Sequence, residues 1–200
     1  MGLYVRHFRL TCELANTYVV CNAGDGKAWI VDVGEMSARM VEWIKKSRLT
    51  IIGIVITHAH YDHNGAVEEY LQTFGEIPVF GGSEACAPGR TTVVADGQRL
   101  MLGDYEAHIF STPGHTPDHI MVYFPEQKIL FSGDALFAGS VGGTHSEKAR
   151  RTQLQTIREK VLTLSPDVRI YPGHGPPTTV QVEREANPFF ECETNRRAKG

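Results

Sequence analysis

The stretch at 57–63, Thr-His-Ala-His-Tyr-Asp-His, constrains the fold more than any other part of the sequence. An apolar run predicts a buried strand immediately before it, and a helical pattern follows it. Alternate residues of an extended segment project to the same side, so His58 and His60 can reach one metal ion. Asp62 and His63 lie where the chain must turn and can face a second. Because imidazole nitrogen and carboxylate oxygen are ligands of Zn, Fe and Mn, the stretch predicts a metal site on a strand-to-helix loop.

Three further side chains of the same ligand types follow predicted strands in turns. They are His115 in Thr-Pro-Gly-His-Thr, Asp134 in Ser-Gly-Asp and His174 in Pro-Gly-His-Gly. Catalytic metal sites keep a position open for solvent, and a carboxylate can bridge two cations with its two oxygens. We therefore predict two divalent metal ions, Zn in preference to Fe or Mn, with Asp62 and Asp134 as the catalytic residues. The predicted ligands are His58, His60 and His115 at the first metal, Asp62, His63 and His174 at the second, and Asp134 at both.

Other polar residues are weaker candidates for the site. Thr144 and His145 follow a glycine-rich loop at 139–143 and are candidate substrate contacts. Asp32 and Asn16 are either ordinary turn residues or groups that orient the metal ligands, and the sequence leaves both interpretations open. Ordinary surface or core roles are expected for His7 and His108, and His119 is expected either to support the metal ligands or to have a structural role.

Composition limits the classes of protein to which the chain can belong. Its 200 residues predict a single domain over 1–200, and a hydrophobic content of 42% is ordinary for a globular protein. The net charge of −3 gives no reason to expect nucleic-acid or membrane binding, so we expect a small-molecule substrate. The sequence shows neither a membrane-spanning run nor a signal-peptide core, and the four cysteines are scattered. These features predict a cytoplasmic protein with reduced cysteines and a frayed basic tail at 196–200.

The order of the predicted elements favours two mainly antiparallel or mixed sheets with helices outside. The chain opens with an antiparallel meander, and a short strand pair is predicted around Asp96-Gly97. Strands are predicted at 3–10, 16–21, 28–33, 51–56, 78–80, 105–110, 119–124, 128–131 and 168–171. Helices are predicted from the N-cap Ser37 to Lys46, from Gly65 to Thr73 with Gly75 as C-cap, from Glu147 to Leu164 and over 180–187, with a single turn at 83–86.

The motifs THAHYDH, TPGHT, SGDALF and PGHG, in this order, resemble those of the metallo-β-lactamase-fold hydrolases. The resemblance is closest to the glyoxalase II, or hydroxyacylglutathione hydrolase, branch. It implies an αββα sandwich of two mixed sheets flanked by helices. It also implies a dinuclear metal centre that activates water to hydrolyse a thioester such as a hydroxyacylglutathione.

The same resemblance leaves two alternatives. One is an iron-dependent persulfide dioxygenase, in which a single Fe would be held by His58, His115 and Asp134. The other is a different hydrolase of the fold, such as a lactonase, although lactonases of this fold typically carry Tyr where this chain has Phe137. The chain also departs from glyoxalase II. It lacks the basic residue and Tyr that often follow the glycine-rich loop, and it is expected to be a short form without the C-terminal helical domain.

Overall fold

The fold is a sandwich of two six-stranded mixed sheets with helices on both outer faces, as seen in a computed structural model that describes residues 2–190. The strands are β1 (Leu3–Arg9), β2 (Asn16–Asn22), β3 (Lys27–Val31), β4 (Thr50–Ile56), β5 (Val79–Gly81), β6 (Thr91–Val93), β7 (Arg99–Leu102), β8 (Tyr105–Ser111), β9 (Ile120–Phe124), β10 (Ile129–Gly133), β11 (Leu136–Phe137), β12 (Ser140–Val141), β13 (Arg169–Pro172) and β14 (Thr178–Thr179). The helices are α1 (Ala38–Lys46), α2 (Tyr61–Asn64), α3 (Val67–Phe74), α4 (Glu147–Lys160) and α5 (Val180–Ala186), with a 3₁₀ turn at Glu84–Cys86.

Three clusters of buried apolar side chains define the four layers. The central cluster joins the inner faces of the two sheets and includes Trp29 and Phe124, whose rings lie 5.9 Å apart. A second cluster packs α1 and α3 on the outer face of the first sheet, and a third packs α4 and α5 on the second sheet. Because each sheet buries both faces, the αββα arrangement expected from the sequence is confirmed.

Strand direction brings the loops that carry the predicted ligands to one edge. The first sheet has the order β1-β2-β3-β4-β5-β6, with β3 to β6 parallel. The second has the order β14-β13-β10-β9-β8-β7. Here β8 and β10 are both antiparallel to β9, and β13 is parallel to β10. The carboxyl ends of β8, β10 and β13 therefore point the same way, and His115, Asp134 and His174 follow them.

Local signals in the sequence are borne out at several element ends. The opening strands β1 to β3 form the predicted antiparallel meander. The Ser37 side chain accepts a hydrogen bond from the Met40 N–H at the start of α1, and Gly75 ends α3 with a φ of 92°. The predicted turn near Cys86 forms behind a Ser83 cap.

The predicted strand pair around Asp96-Gly97 is wrong. The two strands exist, but β6 pairs with β5 in the first sheet, whereas β7 pairs with β8 in the second. The Gly97 N–H donates to the Ile109 carbonyl, so this turn carries the chain from one sheet to the other. A local turn signal indicates a change of direction and does not reveal which strand each partner will pair with.

Other differences concern the loops around the predicted site. The short helix α2 covers residues 61–64, so the end of the histidine stretch is helical and not an open loop. The glycine-rich segment folds into the hairpin β11–β12, in which Gly139 adopts a φ of 71°. Helix α4 ends at Lys160, four residues before the predicted Leu164.

Within the described residues, no helix is both long and apolar enough to cross a membrane. Cys12, Cys21 and Cys86 are free thiols, as predicted. The predictions for Cys192 and for the basic tail, Arg196, Arg197 and Lys199, fall outside the described residues.

Candidate metal centre

The first group of predicted ligands converges on one point beyond the end of β4. The Nδ1 atom of His60 lies 3.1 Å from Nε2 of His58 and 3.0 Å from Nε2 of His115. His58 is buried at the strand end, whereas His60 is exposed, so the trio opens to solvent on one side. The three nitrogens could hold one metal ion.

The second group lies beside the first. The Oδ2 atom of Asp62 is 3.2 Å from Nε2 of His63 and 3.1 Å from Nε2 of His174. The same two histidine nitrogens are 3.3 Å apart. The short helix α2 makes this possible, because it turns Asp62 and His63 away from His60 toward the turn that carries His174.

Asp134 lies between the two groups. Its Oδ2 atom is 3.6 Å from Nε2 of His115 and 3.4 Å from Nε2 of His174. Its Oδ1 atom is 3.4 Å from Nε2 of His63, is buried, and accepts no hydrogen bond from the described part of the chain. A buried carboxylate oxygen without a donor is costly, and a bound cation would satisfy it.

Three of the histidines are fixed through their second ring nitrogen. Nδ1 of His63 lies 2.9 Å from Asp32 Oδ2, and Nδ1 of His115 lies 2.7 Å from the Gly143 carbonyl. Nδ1 of His58 lies 3.1 Å from the Thr57 hydroxyl. Such contacts select the tautomer and direct the other nitrogen inward. Of the two interpretations of Asp32, the structure favours the orienting one.

The Asp32 carboxylate is fully used. Besides His63, it accepts hydrogen bonds from the Thr57 N–H at 2.8 Å and the Thr57 hydroxyl at 2.9 Å. Asp32 is buried and has a φ of 59°, a conformation that turns the chain sharply at the end of β3. The Asp32 side chain therefore connects the end of β3 to the histidine stretch at 57–63.

Close backbone approaches in the site require glycine. A Cβ atom at Gly173 would lie 2.0 Å from Asp134 Oδ1, and one at Gly142 would lie 1.7 Å from the Asp134 carbonyl. A Cβ at Gly34 would lie 1.8 Å from the Asp62 carbonyl. Of these glycines, only Gly173 lies next to a predicted ligand, His174, and its position there is a usable signal in the sequence.

The charges in the cluster compensate one another. Burial lowers the pKa of His63, but the carboxylates of Asp32, Asp62 and Asp134 together outweigh this effect, and the pKa rises to about 10. Burial raises the pKa of Asp62, but its hydrogen bond to His63 and the charge of that residue lower it to about 2. His58 is different, because burial and the neighbouring histidines hold its pKa far below the usual range. The cluster thus contains ionised carboxylates and a neutral His58.

His119 is hydrogen-bonded to the backbone of Asp134. It is buried, which lowers its pKa to about 3 and keeps the ring neutral. Its Nε2 atom accepts a hydrogen bond from the Asp134 N–H at 3.0 Å, so Nδ1 carries the proton and donates to the Thr112 hydroxyl at 2.7 Å. The predicted role of His119, to support the metal ligands or the structure, agrees with these contacts.

A cavity of about 220 Å³ lies between the loop at 113–117 and the start of α4. His145 lines it, whereas Thr144 does not and instead bonds to the Ser146 carbonyl. Lys148 also lines the cavity, and no ion pair of this lysine is found among the described residues. We did not single out Lys148 from the sequence, because it looks like an ordinary charge on a helix surface.

The donor set fits divalent metal ions. All seven predicted ligands come together, and within each candidate group the ligand atoms lie within 4.8 Å of one another. Imidazole nitrogens combined with carboxylate oxygens suit Zn, Fe and Mn, and the glycine at 173 leaves space for the Asp134 carboxylate. Residues 10–174 match the metallo-beta-lactamase superfamily domain.

The chain belongs to the metallo-beta-lactamase superfamily. It is 32% identical over 198 residues to a probable metallo-hydrolase, YqgX, of Bacillus subtilis, covering 88% of this chain and 92% of that protein. It is 32% identical over 189 residues to the hydroxyacylglutathione hydrolase GloC of Haemophilus influenzae, covering 84% and 89%. Among solved structures, it resembles BLEG-1 B3 metallo-beta-lactamase with a TM-score of 0.84 at 31% identity, over 94% of this chain and all 100% of that chain. The superfamily and these relatives support a metal-dependent hydrolase.

Proposed function

We propose that this member of the metallo-beta-lactamase superfamily is a two-metal thioester hydrolase that acts on a hydroxyacylglutathione. The observation that carries the proposal is the position of Asp134, with one oxygen between Nε2 of His115 and Nε2 of His174. A carboxylate in this position can be a ligand of both metal ions. The proposed ligands are His58, His60, His115 and Asp134 at one metal, and Asp62, His63, His174 and Asp134 at the other.

The side chains have separate tasks in this proposal. The two cations, when bound, would act as Lewis acids that lower the pKa of water and polarise a substrate carbonyl. Asp62 is ionised over the physiological range, because its pKa is about 2, and it can accept a hydrogen bond from the attacking water. His119 holds Asp134 through its backbone, and Asp32 holds His63.

The nature of the substrate is supported by a relative and by the cavity between the loop at 113–117 and α4. GloC of Haemophilus influenzae is named a hydroxyacylglutathione hydrolase, and the chain matches most of its length. Glutathione carries two carboxylates, and the cavity presents Lys148 together with His145. A cationic side chain in this cavity can pair with such a carboxylate.

Steady-state hydrolysis tests this function. The purified protein is loaded with Zn, or in parallel with Fe or Mn, and thioester loss from S-lactoylglutathione is followed. Hydrolysis by the loaded protein, and at least a hundredfold loss in Asp134→Ala, is expected. Asp167→Ala, which removes an exposed carboxylate paired with Lys128, is the control and should retain activity.

Three parallel substrates give the competing outcomes. Oxygen uptake with glutathione persulfide would indicate a dioxygenase, lactone opening a lactonase, and loss of a cephalosporin a β-lactamase. If any of these reactions has a higher kcat/KM than thioester hydrolysis, the proposed function is wrong.

A further inference from the structure

The turn at 172–175, which presents His174, is bound through its backbone to strand β2. The side-chain amide of the buried Asn16 donates to the carbonyls of the first and last residues of this turn, each at 2.9 Å. The Asn16 N–H donates to the Gly173 carbonyl at 2.7 Å. The Tyr18 hydroxyl donates to the first of these carbonyls at 2.6 Å. The turn therefore has little freedom to move relative to β2.

His7 extends this arrangement to strand β1. Both N–H groups of the Asn16 amide are used by carbonyls, so its oxygen faces His7 Nε2 at 2.7 Å, and His7 must donate. The His7 ring stacks on Tyr18, with centroids 5.1 Å apart and planes at 28°. The amide of Asn16 is thus locked in one orientation, because a flipped amide would place its oxygen against two carbonyl oxygens and lose both of those hydrogen bonds.

In the described part of the chain, His174 lacks the support through Nδ1 that His58, His63 and His115 have. His58, His63 and His115 are each held through Nδ1, as described above. For His174, no hydrogen bond to Nδ1 is found among residues 2–190, and 28% of its side chain is exposed. The direction of Nε2 is therefore set mainly by the backbone of the turn.

We propose that His7 and Asn16 are positioning residues that aim His174 and set the affinity of the second metal site. The inference rests on the proposed two-metal centre and gives a role to His7, for which the sequence indicated only an ordinary surface or core role. Residues outside the coordination sphere that orient a ligand typically contribute 10- to 100-fold to metal affinity.

The experiment measures two zinc dissociation constants by chelator competition on the metal-free protein. Asn16→Asp keeps the acceptor for His7 but places oxygen against two carbonyls. His7→Phe keeps the stacked ring without its donor, and His7→Gln restores an N–H. His108→Phe is the matched control, because His108 also makes a single 2.8 Å side-chain contact on a strand, to Glu106. Thermal unfolding of each metal-free variant reports on the fold.

The second zinc site, identified as the one lost in His174→Ala, should lose affinity about 10- to 100-fold in Asn16→Asp and about tenfold in His7→Phe. The other site should change less than about twofold, and His7→Gln should recover most of the loss. If Asn16→Asp does not fold, the His7 variants decide. An unchanged affinity of the second site in His7→Phe overturns the inference, as does an equal loss at both sites or a lower melting temperature with no change in affinity.

The wild-type protein separates this inference from the proposed function. If it binds two zinc ions but does not hydrolyse S-lactoylglutathione, the substrate assignment fails and the positioning inference is still decided by the variants. If it binds only one ion at any concentration, there is no second site and the positioning inference fails.

Discussion

Replacing Gly173 by alanine tests whether activity depends on the position of the Asp134 carboxylate. The new Cβ would lie 2.0 Å from Asp134 Oδ1 and 2.7 Å from Cε1 of His63, and contacts below 3.0 Å essentially never occur. The backbone cannot retreat easily, because the Gly173 N–H donates to the Gly133 carbonyl at 2.9 Å and its carbonyl accepts from Asn16 at 2.7 Å. The carboxylate must therefore move by about 1 Å, and a misplacement of about 1 Å can cost about 100-fold in rate.

We expect kcat for thioester hydrolysis by Gly173→Ala to fall about 100-fold, with a loss of about 1–3 kcal/mol in the free energy of unfolding from overpacking. Steady-state kinetics and thermal melts measure both quantities. Gly143→Ala is the control, since a Cβ there meets no atom within 4 Å and the substitution leaves the backbone carbonyl that faces His115 in place. A Gly173→Ala protein with wild-type kcat would refute the geometry assigned to Asp134.

Three further predictions concern Asp32, metal removal and pH. Asp32→Asn removes the charge that faces His63, so the affinity of the second site for zinc, measured by titration, should fall about 10- to 100-fold. An unchanged affinity would exclude an orienting role for Asp32. Removing the metal should lower the melting temperature. An ion at 1,000 times its Kd contributes about 4 kcal/mol to the free energy of unfolding, which corresponds to roughly 8–16 °C in melting temperature. Equal melting temperatures with and without chelator would contradict a metal-binding fold. The pKa of His63 in the metal-free protein is raised to about 10. The protonated His63 therefore stabilises the folded state fully below its usual pKa of 6.5, and this stabilisation is lost as the pH rises toward 10. The melting temperature of the metal-free protein should therefore decline from about pH 7 to pH 10, more steeply than in Asp32→Asn, and a parallel course of the two proteins would contradict this source of stability.

Much of the candidate site could be predicted because its residues follow rules that act over short distances. Three histidines and an aspartate within 58–63 have no ordinary packing role, and the strand before them is apparent from its apolar run. His115, Asp134 and His174 were assigned by ligand type and by their place after strands. The structure brings all three to the same cluster.

The contacts that support the site depend on sheet topology and could not be deduced in the same way. Asn16 and the turn that carries His174 are far apart in the sequence and meet because β2 begins beside the turn after β13. The error at Asp96-Gly97 has the same origin, since pairing with a distant strand replaced the local hairpin. Likewise, the need for glycine at 173 follows from the approach of Asp134, which the sequence does not reveal.

The number of metal ions per chain tests the central claim most directly. The metal-free protein is reconstituted with excess zinc, freed of loosely bound ions by gel filtration and measured by elemental analysis against protein concentration. The two groups around Asp134 predict about two ions per wild-type chain and no more than about one in Asp134→Ala. One ion in the wild-type protein, or two ions retained in Asp134→Ala, would contradict a centre built on a shared carboxylate.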